Sequence, residues 1–525
     1  MKISDEKRRS MILNGNMWKV IIAICAPLFI YNLFNSFYSL VDSIFANEIS
    51  TDSVSSVAAL GQIKNLLSSF GSGIAAGGAI IVARHFGAGE YDIARKNANV
   101  LVSLVTVVVA ALALFCIPLA YPICKLSGIS QAQASASTGY FIIQIIELLF
   151  IAYNNVFIAL QKSKGNTKSI FYLNFVTMGI KLLLNYIFIY LLHVDSILWI
   201  GVATLISQIV LFLILGFLML KKNNIFRISI KQFSLSWKYV KPILFLSIPI
   251  FLGKFVFSFG KVAVNSIFGA RYLEILKAQI DLSDPMAIAS AEASAGLVVG
   301  ALSVSNNLNG IATTPINAFE ETESTIISQN LGNRNLKRAI ECFVKGFILA
   351  TVIGLVAWIL IRFVFQEILI GLYSQDQDPA QAEEFMTYVK MIHNYDSWSI
   401  PSLAINAGVL GILYGFGKTK LTMFINIARA FVFRIPILVI LLYCFPELGV
   451  ECAGLSMGIS NVCIAIMSLV CLLFFFLQIK KKGYQGMHFN ENKVSIEETK
   501  IEQIEEELSK EEDKDGEILE SKSHL

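Results

Sequence analysis

At 525 residues, 55% hydrophobic and only 15% charged, with mean hydropathy +0.65 and 38 phenylalanines, the chain is too apolar for a soluble multidomain protein and reads as a polytopic membrane protein. The formal net charge of +4 is small because an acidic C-terminal tail cancels much of the basic charge between the apolar runs. Eight cysteines lie mostly inside those runs, as Cys25, Cys116, Cys463 and Cys471 do, where they act as small hydrophobes rather than as a disulfide framework or a metal site.

The first ten residues, MKISDEKRRS, are basic. The apolar run behind them is too long for a signal peptide and lacks a small-residue cleavage site, so residues 1–17 form a cytoplasmic segment before a retained first span. A span needs roughly 20 apolar residues. Windows of that kind fall near 18–46, 55–83, 98–122, 137–161, 169–192 and 197–220, then near 240–268, 300–329, 342–366, 383–414, 419–443 and 449–479. The expected fold is all-α and integral to the membrane. Its twelve helices form an N-terminal six-helix lobe, 18–220, a basic linker, 221–239, and a C-terminal six-helix lobe, 240–479. The last segment, 480–525, is an acidic tail, solvated or carrying a short amphipathic helix through Val494, Ile501, Ile504 and Leu508.

Lysine and arginine set the orientation, since they stay on the cytoplasmic side. Lys7, Arg8 and Arg9 precede the first span, Arg84, Arg95 and Lys96 follow the second, and Lys162, Lys164 and Lys168 follow the fourth. Lys221, Lys222, Arg227, Lys231, Lys238 and Lys241 fill the central connection, and Arg334, Lys337, Arg338, Lys418, Lys420 and Lys480 to Lys482 continue the alternation. Both termini are therefore expected in the cytoplasm.

The two halves repeat. ICAPLFIYNLFNSFYSLVDSIFA matches LSIPIFLGKFVFSFGKVAVNSIFG, which pairs Asp42 with Asn265 (265 − 42 = 223). ARHFGAGEYDIARK matches SQNLGNRNLKRAIE, which pairs Gly87 with Gly332 (332 − 87 = 245). The change of offset marks an insertion near 270–298, expected on the outer side. Two homologous six-helix lobes of this kind flank a central cavity in secondary transporters.

These segments resemble the multidrug and toxic compound extrusion (MATE) family, from about Trp18 to Leu477. The resemblance rests on Pro27 and Asp42 in the first span, the GAG turn at Gly87 to Gly89, GVATLISQ at Gly201 to Gln208, ISQNLGNRN after the eighth span, and ARAFVFRIP at Ala428 to Pro436. It implies an antiporter that exports amphipathic, often cationic compounds against inward proton or sodium flow. It also implies a coupling site made of a first-span aspartate, an asparagine and an aspartate four apart in the fifth span, and a threonine in the sixth. Asp42 and Thr204 match, whereas the fifth span reads KLLLN, with Lys181 at the asparagine position and Asn185 at the second acid. A lysine ammonium repels sodium, so protons are favoured as the coupling ion.

The residues themselves agree on place. At 1.5 Å rise per residue, Asp42, Asn185 and Thr204 lie within about 6 to 14 Å of the predicted outer ends of their helices and share one depth. An intramembrane carboxylate faces a cavity or a partner, which makes Asp42 an ion-coupling candidate; its bland alternative is a helix-end residue at the interface. Lys181, about 18 Å deep, either reaches toward Asp42 as a built-in ammonium that exchanges with protons, or snorkels or pairs structurally. Pro27 allows the first helix to bend. Candidate cavity residues are Tyr31, Tyr38, Glu147, Lys254, Lys261, Glu320, Glu321 and Asp396, with helix-holding Lys–Glu pairs as the alternative; Arg429 and Arg434 read as structural.

The sequence thus reads as a secondary active efflux antiporter of the cell membrane. It is a monomer that meets small-molecule substrates, protons or sodium, and membrane lipids, without nucleic acid or cofactor. No catalytic or metal-ligating set is present, and GAGEYD is an interhelical connection rather than a phosphate loop, so an enzyme is not expected. The nearest rival is a lipid-linked oligosaccharide flippase, which a long hydrophobic groove and a large cationic cavity would favour.

Overall fold

The structure, a computed structural model, describes residues 4–47, 51–126, 131–194, 196–222, 224–229, 234–371 and 379–482. The chain divides into two units, Met1–Leu469 and Val470–Leu525. Among its described residues the second unit is the end of the last helix, and the acidic tail lies outside the described residues. Everything below concerns the first unit.

Backbone polar groups in hydrocarbon must be satisfied within the segment, so apolar runs of this length fold as helices. Among the described residues there are no strands and twelve helical spans. A short helix, α1 (Asp5–Asn14), precedes α2 (Met17–Asn47), α3 (Thr51–Ala88), α4 (Tyr91–Cys116), a short α5 (Ala120–Leu126), α6 (Gln131–Ser163), α7 (Thr167–Tyr186) and α8 (Leu198–Leu220). The second lobe has α9 (Trp237–Lys277), α10 (Pro285–Gly332), α11 (Leu336–Ile359) running on into α12 (Gln366–Gly371), α13 (Pro379–Asp396), α14 (Ile400–Gly415), α15 (Thr419–Ile427), α16 (Ile435–Cys444) and α17 (Glu451–Lys482).

The third span begins seven residues before its expected start and stops at Cys116, because Pro118 withholds a backbone donor there. The insertion near 270–298 is mostly helix. It lengthens α9 and α10, leaving only 278–284 as a turn, where Asp284 caps α10 by accepting from Met286 N at 2.9 Å and Pro285 sits at the first helical position. Lys277 Nζ, 2.9 Å from Glu292 Oε1, clasps the hairpin.

The repeat is visible in backbone geometry. Gly89 (φ 86°) and Arg334 (φ 56°) hold the same left-handed position after α3 and after α10, and Gly165 (φ 73°) and Gly417 (φ 70°) do so after α6 and α14. The lobes meet along α2 and α3 of one half and α9 and α10 of the other. Gly73 and Gly77 form a small-xxx-small stripe that brings α3 onto the backbone of α9 at Phe251 and Ser247, the close approach that substitutes for a hydrophobic driving force between membrane helices.

Candidate functional site

The lobes enclose a cavity of about 660 Å³, reached by Tyr31, Phe34 and Asn35 of α2, Lys64 and Asn65 of α3, Gln144 of α6, Asn174 of α7, Gln208 of α8, Lys261 of α9 and Asn306 of α10. Two branches adjoin it. One, of about 300 Å³, runs between the lobes past Tyr31, Lys162, Lys254, Glu320 and Glu321; the other, of about 330 Å³, enters the second lobe past Lys254, Lys261, Glu320, Asp396, Arg429 and Arg434. So many amides and charges inside spans of mean hydropathy above 1 mark a polar cavity rather than apolar packing.

In the first lobe, α7 packs against α2 and α8. Lys181 and Asn185 on α7 and Thr204 on α8 are all buried, at 1%, 0% and 4% exposure, so the Lys181 side chain is enclosed by protein rather than facing lipid. Neither amide atom of Asn185 has a hydrogen-bond partner among the described residues, and Thr204 Oγ1 donates to the Ile200 carbonyl at 3.0 Å. Asp42 and Tyr38 belong to α2, but their side chains lie outside the described residues. Pro27 sits inside the unbroken α2.

Glu147 is held away from the cavity. Its carboxylate receives Lys64 Nζ at 2.6 Å and 2.7 Å and is buried. Lys64 was missed in the sequence, although a lone lysine inside the second apolar window was signal enough. Glu321 is joined to Lys162 across the lobes at 2.6 Å.

In the second lobe Arg429 and Arg434, which read as structural, also line the cavity branch. Residues Ala428–Arg434 form a π-helical turn between α15 and α16. Five residues on an α-helix point about 140° apart, but an i→i+5 register stacks them, so both guanidinium groups face the same branch. Arg429 Nε and Arg434 Nη2 both donate to Asn461 Oδ1, at 3.0 Å and 2.9 Å, and Arg434 Nε donates to Ser460 Oγ at 3.2 Å. Asn461 Nδ2 in turn donates to Ser399 Oγ at 2.8 Å, and Ser399 Oγ donates to the Asp396 carbonyl at 2.6 Å. Glu323, one turn from Glu320, is fully buried, its carboxylate fitted between Gly346 of α11 and Gly411 of α14.

The basic end of the cavity is shut by paired contacts. Gly87 lies on the backbone of Gln329, and Gly332 on that of Arg84. Arg84 Nη2 donates to the Gly415 carbonyl at 3.3 Å, and Gln329 Nε2 donates to the Ser163 carbonyl at 2.7 Å. Ser163 and Gly415 each stand two residues before a positive-φ turn glycine, so the two bonds are equivalents under the repeat. The N-terminal segment bridges both halves. Arg9 donates to the Phe86 and Gly87 carbonyls, Asp5 pairs with Lys164 at 3.2 Å, and Arg338 donates to the carbonyls of Ile12 and Gly15.

A family model for MatE matches residues 27–187 and 291–440, one block in each lobe. The chain belongs to the MatE family. Solved MatE-like transporters share its fold. A transporter of the MOP superfamily from Pyrococcus furiosus, described as having a binding pocket of reverse polarity, superimposes with a TM-score of 0.78 at 17% identity, over 90% of this chain and 98% of that one. An outward-facing multidrug resistance MATE transporter gives 0.77 at 17% identity, covering 90% and 98%. A MATE protein in complex with MaL6 gives 0.77 at 17% identity, covering 90% and 99%. At such identities the likeness is one of fold. No curated protein sequence matches the chain.

Proposed function

We propose that this MatE protein is a secondary active efflux antiporter of the cytoplasmic membrane, with both termini in the cytoplasm, that exports amphipathic small molecules, drugs and toxic compounds among them. The observation that carries this reading is the polar cavity between two repeat-related lobes whose basic end is sealed by reciprocal contacts, as alternating access requires. Placing the basic end in the cytoplasm makes this state open to the outside.

Inward proton flow drives the cycle in this reading. The burial of Lys181 within the first lobe supports it, because a fixed ammonium there occupies the room of a sodium ion. Protonation of Asp42 then loosens its hold on α7 and lets α2 bend at Pro27, with Asn185 and Thr204 completing the coupling site. The protein works as a monomer in contact with lipids.

Everted vesicles loaded through an imposed proton or sodium gradient test the proposal. Uptake of a fluorescent amphipathic dye is expected with the proton gradient and without sodium; strict sodium dependence would defeat the coupling, and no gradient-driven uptake of any dye would defeat the antiporter. A lipid-linked oligosaccharide flippase is the second reading, and the basic residues of the second-lobe branch favour it.

A further inference from the structure

The second lobe gathers more positive charge than it neutralises. Lys261 Nζ lies 5.2 Å from the centre of the Phe257 ring, and the guanidinium carbons of Arg429 and Arg434 lie 4.4 Å and 5.8 Å from it. Three like charges thus converge on one aromatic ring. Among the described residues none of the three forms an ion pair with a carboxylate, and the guanidinium donors already in use go to the neutral oxygens of Asn461 and Ser460. The acids of this branch are Glu320, Glu321 and Asp396, and Glu321 is taken by Lys162. Setting Lys254 against Glu320 and Arg434 against Asp396 still leaves Lys261 and Arg429 without a counter-charge.

Surplus charge inside a membrane lobe is expensive unless something compensates it. Arg434 is only 3% exposed and cannot turn outward to bulk water. Through Asn461 and Ser399 the guanidinium pair is fixed in position before any ligand arrives, and a guanidinium fork matches the oxygens of a carboxylate or phosphate. Lys261 is exposed and lines the main cavity and the branch alike.

We propose that Lys261, Arg429 and Arg434 form a binding site for the anionic headgroup of an amphiphile, a carboxylate or a phosphate, with Phe257 as its floor. As a statement about the exported molecule this rests on the antiporter reading above; as a statement about a binding site it stands alone. The headgroup belongs either to a free organic anion or to an anionic lipid, which share this chemistry.

The test uses the purified full chain and two xanthene dyes of similar size and opposite charge, carboxyfluorescein and a rhodamine ester, followed by fluorescence anisotropy. Carboxyfluorescein is expected to bind the wild type more tightly than the rhodamine does. Lys261→Gln and Arg429→Gln should each weaken carboxyfluorescein about tenfold or more, while Lys261→Arg retains it. If a variant fails to fold, the comparison of dyes on the wild type decides alone. In nanodiscs, carboxyfluorescein displaced by phosphatidylglycerol but not by phosphatidylcholine assigns the site to a lipid headgroup; binding equal in both assigns it to a free anion. Tighter binding of the rhodamine, or carboxyfluorescein affinity unchanged in both neutralised variants, overturns the site. Gradient-driven efflux of the rhodamine without carboxyfluorescein binding overturns the anion site and leaves the antiporter standing. Carboxyfluorescein binding that depends on Lys261, with gradient-driven transport of neither dye, does the reverse.

Discussion

Gly87 packs on the backbone three residues before Gly332, and Gly332 packs on the backbone three residues before Gly87. The contact is isologous in the sense of a two-fold dimer, made here within one chain by its two repeats. A Cβ at either position would overlap a main-chain carbonyl oxygen, which no rotamer change relieves. Gly87→Ala or Gly332→Ala should therefore disfavour the state closed at the basic end by about 2 kcal/mol. Ser328, fully buried beside this contact, supplies the reporter. A cysteine introduced there by Ser328→Cys should become reactive to a thiol reagent in the alanine variants and remain protected without them.

The Lys162–Glu321 pair ties the lobes at 2.6 Å. Lys162→Gln or Glu321→Gln alone leaves the other member of the pair without its partner in the cavity branch, whereas the double variant removes both charges of the pair. A double-mutant cycle on the thermal stability of the purified protein should give a coupling of about 1 kcal/mol. Strictly additive losses would mean that the pair does not hold the lobes together.

Glu323 has no hydrogen-bond partner for either carboxylate oxygen among the described residues, and it fits only because α11 and α14 lack a Cβ where they face it. Gly346→Ala should destabilise the second lobe by about 1–3 kcal/mol through overpacking. Glu323→Gln, which keeps the volume, should melt within a few degrees of the wild type, so a larger fall for Glu323→Gln than for Gly346→Ala would show that charge rather than fit dominates at this position.

Asp42 stands on α2, the helix that packs against α7 and its buried Lys181. Asp42→Asn is expected to remove gradient-driven export while the protein still inserts and stays monodisperse. Undiminished export by that variant would move coupling to the second lobe, with Glu320 and Asp396 the first places to look.

At the membrane surface, burial pulls the Lys164 ammonium below the usual lysine range, and the Asp5 carboxylate draws it partly back up. Asp5→Asn removes the upward pull, so Lys164 should titrate at lower pH than in the wild type. Because its folded value lies below the unfolded one, the folded state binds fewer protons between the two. Docking of α1 in Asp5→Asn should therefore strengthen as pH rises through that window and weaken as pH falls back through it. Hydrogen-exchange protection of residues 5–14, corrected for the intrinsic pH dependence, measures this; protection that falls with rising pH would contradict it.

The spans and the duplication were legible because hydrocarbon enforces long apolar runs and because the same phrases, around Asp42 and Asn265 and around Gly87 and Gly332, recur in both halves. The helical character of the 270–298 insertion was not, since AIASAEASAG is too polar to read as a span although its alanines favour helix wherever the chain is solvated. The second-lobe site was hidden for a geometric reason. A spacing of five, Arg429 to Arg434, belongs to no face of an α-helix, and only the π turn brings the two together. Lys181 is buried in protein, where the cost of a charge in hydrocarbon is lowest.

The lengthened hairpin of α9 and α10 has a mechanical consequence. Their contour lengths, about 62 Å and about 72 Å, are roughly twice the thickness of a hydrocarbon core, and the Lys277–Glu292 clasp joins their far ends. A hairpin continuous with two helices of one lobe is a pointer fixed to that lobe. A swivel too small to read at the pivot is geometrically magnified at 278–284, so a fluorophore attached at Leu282, which is 62% exposed, would turn the transport cycle into an optical signal without touching the cavity.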